Sequence, residues 1–186
     1  MKFIGIDPGA SGGIAAICDD TIESIPMPDT ELGVWEWLST RIDPTTDIAV
    51  IEQVWGYMPG EKKVGKDGRE YQEGASSGSA MFSFGQSYGA LRMALTAVGL
   101  REGVSWFAVV PRTWQGILDI SPRSRKTGET KSQFKARMRD HAESLCCTLT
   151  PTRPNRITLK TCDAILLAFY CKQMYAGKST GRSLWE

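Results

Sequence analysis

Phe3-Ile4-Gly5-Ile6-Asp7-Pro8-Gly9-Ala10-Ser11-Gly12-Gly13 opens the chain with a short apolar run, one carboxylate and a stretch that has to turn. The run Phe3 to Ile6 reads as a buried strand. The Gly- and Pro-rich stretch behind Asp7 ends it. Ile14 to Cys18 and Thr21 to Met27 read as two further strands, with Asp19-Asp20 as the tight turn between them, so the first three strands form an antiparallel meander. Asp47 to Ile51, running into Glu52, repeats the theme of an apolar strand that delivers an acid at its end.

Outward from these strands the chain alternates. Asp29 or Thr30 caps a helix whose apolar face includes Leu32, Trp35 and Leu38. Met81 to Val98 is predicted helical. Its small residues Gly85, Ser87, Gly89 and Ala90 permit close approach, either to a second subunit or to the sheet of the same chain. Val104 to Val110 reads as a strand and Pro111 as a helix opener. A polar loop over 119–128 leads to a helix from Thr130 to Leu145 with basic residues spread along it. Leu159 to Tyr175 forms the last firm helix. A meander followed by strand–helix alternation predicts an α/β fold: a mixed five-stranded sheet with helices on both faces. Between Glu52 and the second helix, residues 56–79 carry Gly56, Gly60, Gly65, Gly68, Gly74 and Gly78 with mixed charges, which predicts a long mobile loop. Residues 1–176 are expected to form one domain, and 177–186 a loose polar tail.

Composition narrows the function. A chain of 186 residues with 41% apolar content suffices for one core and is short for two. No apolar run is long enough to span a membrane. The start lacks the pattern of a signal peptide, so a cytosolic location is expected. The five cysteines (Cys18, Cys146, Cys147, Cys162, Cys171) form no C-x-x-C pair, which argues against a disulfide framework or zinc ribbon and for buried reduced thiols. A lone His141 argues against a multi-histidine metal site. Net charge is +1, but it is unevenly spread. Residues 1–52 set ten acids against Lys2 and Arg41. Residues 121–139 set Arg123, Arg125, Lys126, Lys131, Lys135, Arg137 and Arg139 against Glu129. Such asymmetry suits a protein that holds divalent cations in one place and phosphates in another, although solvated surface charge accounts for it equally well.

Asp7, Glu52 and Asp163 each sit at the edge of an apolar element. An unpaired buried carboxylate is expensive, so three of them suggest a shared compensating charge. Oxygen ligands without histidine or cysteine suit Mg²⁺, with Mn²⁺ as a substitute, rather than zinc. The competing reading of each acid is a helix cap or an ordinary ion pair.

Ile4-Gly5-Ile6-Asp7-Pro8-Gly9, Ile51-Glu52-Gln53-Val54-Trp55, Phe84-Gly85-Gln86, Lys131-Ser132-Gln133 and Asp163-Ala164 together resemble, in order, the motifs of the RuvC-type Holliday-junction resolvases. The resemblance spans most of the chain. It implies a ribonuclease-H-like fold, a homodimer, and Mg²⁺-dependent nicking of four-way junctions or other branched DNA, with Asp7, Glu52 and Asp163 as metal ligands. It also implies that Lys131 lies near the scissile phosphate and that Trp55 stacks on bases near the crossover, a contact worth about 1–3 kcal/mol. Without it, Lys131 is a solvated helix lysine and Trp55 a packing residue. Arg123, Arg125, Lys126, Lys135, Arg137 and Arg139 would supply backbone affinity. The chain departs from the family at Lys160, three residues before Asp163, where relatives usually carry an acid or histidine; it is either a phosphate contact or a surface lysine. Residues 56–79 also form a longer insertion than in bacterial relatives. Two other readings stand beside the nuclease: a non-catalytic junction-binding module, and a kinase- or ATPase-like domain built on the turn from Asp7 to Gly12, for which 186 residues scarcely provide two lobes.

Overall fold

Alternation along five short strands divides the molecule into two cores. The computed structural model describes residues 1–54, 61–64, 67, 69–73, 78–123, 128–149 and 157–179. Its elements run β1 (Lys2–Asp7), β2 (Gly13–Cys18), β3 (Thr21–Pro26), α1 (Glu31–Ser39), β4 (Ile48–Glu52), β5 (Glu61–Val64), β6 (Glu70–Glu73), α2 (Gly78–Ala97), β7 (Trp106–Val109), α3 (Pro111–Ile117), α4 (Lys131–Leu149) and α5 (Cys162–Ser179). The main sheet has the order β3-β2-β1-β4-β7. β1–β2 and β2–β3 pair antiparallel, as the meander requires, and β1–β4 and β4–β7 pair parallel. Ile4, Ile6, Ile14, Ala49 and Ile51 pack against Val34, Leu38, Leu91 and Leu95 of α1 and α2. Phe3, Ala15, Ile17 and Val50 pack against Trp114, Met138, Ala142 and Ile165 of α3, α4 and α5. The mixed five-stranded sheet with helices on both faces is therefore the observed architecture.

One residue sets how close α5 comes to the sheet. A Cβ at Gly5 would lie 2.1 Å from the carbonyl oxygen of Ala164 and 2.3 Å from the amide nitrogen of Ala168. No other side chain allows α5 to lie directly on the central strand. The helix is entered through a reciprocal cap: the Thr158 amide donates to Thr161 Oγ1 at 3.0 Å and the Thr161 amide to Thr158 Oγ1 at 3.2 Å.

Several expectations change. Thr30 caps α1, accepting from the Gly33 amide at 3.1 Å, but the buried face is Val34, Trp37 and Leu38; Leu32 is 63% exposed and Trp35 38%. Apolar residues lie on nearly every side of this short helix, so periodicity could not choose among them. Within the stretch expected as a long mobile loop over 56–79 lies the antiparallel pair β5–β6, and its Gly78 already opens α2. Val104 is exposed and outside β7. The last helix starts at Cys162 rather than Leu159 and runs to Ser179, into the stretch expected as tail. Cys146, Cys162 and Cys171 are buried free thiols, whereas Cys147 is exposed. No helix among the described residues is long and apolar enough to cross a membrane.

Candidate functional site

Phe3 and Val50 point into the core beneath α3, α4 and α5. Asp7 and Glu52, four and two residues further along their strands, face the same side. β1 and β4 run parallel with Ile6 beside Ile51, so the two acids are the next residues on neighbouring strands. α5, seated on Gly5, brings Asp163 to the same place in its first turn. The turn after β1 folds tightly back on Asp7: a Cβ at Gly12 would lie 2.0 Å from the Asp7 carbonyl oxygen.

Two side chains from the helical layer complete the cluster. Lys135 of α4 hydrogen-bonds through Nζ to Asp163 Oδ2, and the same nitrogen lies 3.7 Å from Asp7 Oδ2. Trp114 of α3, fully buried, donates from Nε1 to Glu52 Oε2 at 2.9 Å. The Cys162 thiol lies 3.2 Å from Asp163 Oδ1; burial pushes its pKa up, so it remains a neutral thiol. An open groove bordered by Glu52, Gln115, Arg123, Lys131, Lys135 and Asp163 leads to the acids.

Burial dominates the electrostatics of the acids, and their mutual repulsion adds to it. Burial, and then repulsion from Asp163, raise the Asp7 pKa to about 7 against the pull of Lys135. Burial, and then repulsion from Asp7, raise Glu52 to about 8, opposed by the Trp114 hydrogen bond. Burial works against the charge on Lys135, but Asp163 and Asp7 outweigh it and its pKa is raised. Fully ionised, the three acids would outnumber the single ammonium; the raised values keep Glu52 largely and Asp7 partly protonated near neutral pH, and a further cation would favour their ionised forms. The donors are hard oxygens and suit Mg²⁺ or Mn²⁺. Even so, no three histidine, cysteine or acidic side chains among the described residues stand as a ready-made ligand shell.

The remaining predicted residues fall in different places. Lys131 is exposed and borders the groove. Arg123 is half-buried beside it. Arg137 binds Glu129 at 3.0 and 3.2 Å and the Ser121 carbonyl at 3.0 Å, joining the two flanks of the polar loop. Arg139 pairs with Asp140 at 2.8 Å. Lys160 is exposed on the turn before α5. Trp55, Arg125 and Lys126 lie outside the described residues. Lys135, expected among phosphate-binding bases, is turned inward onto the acids. Sequence reasoning missed Trp114; the available signal was that a core tryptophan needs an acceptor for its N–H.

A meander of three strands extended by two parallel ones, with helices on both faces, defines a ribonuclease-H-like fold. Among solved structures, the chain is similar to T. thermophilus RuvC in complex with a Holliday junction substrate, with a TM-score of 0.54, 13% sequence identity, and 97% of each chain covered. No protein-family model matches the chain, and no curated protein matches its sequence.

Proposed function

We propose that the protein is a divalent-metal-dependent endonuclease that nicks four-way DNA junctions, and other branched DNA, as a two-fold dimer. The observation that carries this reading is the convergence of Asp7, Glu52 and Asp163 from two neighbouring strands and a helix at one end of the sheet. Asp7, Glu52 and Asp163 would hold the metal, which when bound would activate water and stabilise the leaving oxygen of a phosphodiester. Trp114 holds the Glu52 carboxylate through a hydrogen bond to Oε2. Lys131, at the groove edge, offers an exposed ammonium to a phosphate. The similarity to RuvC bound to a Holliday junction supports the choice of substrate.

The dimer has its own support. Phe82, Gly85, Gly89 and Met93 follow one another at helical spacing on α2. Phe82 is 68% exposed and Met93 64%, and a Cβ at either glycine would meet nothing within 4 Å. This stripe suits close contact with a second copy.

A second reading, a junction-binding module without catalysis, is favoured by the ammonium already seated among the acids. Incubation with a labelled four-way junction in Mg²⁺, Mn²⁺ or EDTA separates the two. Metal-dependent nicking abolished by Asp7→Asn is expected. Tight binding without nicking under either metal would leave only the module.

A further inference from the structure

Lys135 stands where a cation belongs, yet it is not sealed there. Its ammonium touches Asp163 and lies 3.7 Å from Asp7, while its side chain remains 30% exposed against 16% and 12% for the two acids. The groove that borders Asp163 and Glu52 also borders Lys135, and Lys131 follows the same edge one helical turn earlier. A lysine head group on a flexible four-carbon stem can therefore leave the acids for the groove without movement of α4. A divalent ion on Asp163 Oδ2 would sit against the like charge of the Lys135 ammonium, so the ion and the lysine compete for that oxygen.

We infer that Lys135 is an exchangeable internal counter-ion: it neutralises Asp7 and Asp163 in the metal-free protein, yields Asp163 to an incoming divalent cation, and then projects its charge into the groove that would hold a phosphate. This rests on the reading of the three acids as metal ligands. The exchange keeps the acids assembled before the metal arrives. It also couples metal occupancy to the appearance of a positive charge beside the DNA.

The test uses the full chain without DNA, with Ca²⁺ as the probe. Lysine acetylation followed by mass spectrometry reads Lys135 in the unaltered protein, with Lys131 as internal reference. Calorimetry reads Ca²⁺ affinity. Saturating Ca²⁺ is expected to speed acetylation of Lys135 severalfold and leave Lys131 unchanged; Lys135→Gln is expected to bind Ca²⁺ about tenfold more tightly. Bound Ca²⁺ with unchanged labelling of Lys135 overturns the exchange and leaves the metal site standing. Absence of Ca²⁺ binding by both proteins, or binding that Asp7→Asn does not weaken, overturns the metal reading and the exchange with it.

Discussion

Trp114 and Glu52 are joined across two elements: the indole nitrogen in the middle of α3 donates to the carboxylate at the end of β4 at 2.9 Å. The bond favours the charged form of Glu52 and holds its pKa below the value that burial alone would give. Trp114→Phe should cost roughly 1–3 kcal/mol, combining lost volume with the lost hydrogen bond. The hydrogen-bond part belongs to the carboxylate, so the loss should be larger above about pH 8 than below it. Urea denaturation on either side of that pH checks this; a pH-independent loss would reduce Trp114 to a packing residue.

Gly5→Ala drives a methyl group into the backbone of α5, at 2.1 Å from Ala164. The helix must lift, since backbone cannot rotate out of the way. A loss of about 1–3 kcal/mol or more is expected from overpacking. Asp163 rides on the same helix, so junction nicking should fall by a larger factor than the folded fraction does. Thermal melts and cleavage assays on one preparation compare the two.

The acids also set a pH dependence of stability. Asp7 and Glu52 have ordinary values of 3.8 and 4.5 but titrate in the fold at about 7 and about 8. A carboxyl with a raised folded pKa stabilises the fold fully below its ordinary value, and that contribution is lost as pH rises through the raised one. The melting temperature in EDTA should therefore decline from mildly acidic pH to beyond about 8. Mg²⁺ should restore it at the alkaline end, and Asp7→Asn should flatten the decline. A flat profile in the unaltered protein would show that the acids are already neutralised.

A charge on the open stripe of α2 should separate subunits. Phe82→Glu or Met93→Glu is expected to convert a dimer into a folded monomer in analytical ultracentrifugation. If the unaltered chain already sediments as a monomer at high concentration, the dimer proposal fails.

The bases along α4 should contribute unequally to DNA binding. Lys131→Ala should lower the slope of log affinity against log salt by about one, the signature of one phosphate contact. Arg139, paired with Asp140, and Arg137, tied to Glu129 and Ser121, should change that slope less. Filter-binding titrations over a salt series discriminate among them.

What could be read without coordinates follows from physical chemistry. Asp7 and Glu52 were visible because each closes an apolar run, and the period of two then fixes which face they share. Asp163 was visible as a carboxylate in a run of buried side chains. The meander was visible from Asp19-Asp20, and the alternation behind it from turn residues. The phase of α1 was hidden because Leu32, Val34, Trp35, Trp37 and Leu38 cover nearly every side. Lys131 and Lys135 occupy one stripe of α4, and which of them reaches the acids depends on where that helix docks. The β5–β6 pair was masked by charge and glycine. Trp114 found its acceptor 62 positions away, a pairing that only the folded chain makes.

The contributors to the acidic cluster come from positions 7, 52 and 163. A ribosome delivers the first two long before the third. α5 also supplies one wall of the core that they face. A truncated translation product ending before Cys162 would therefore lack that wall as well as its last acid. Such a product would carry two of the three acids on a sheet face left without its covering helix.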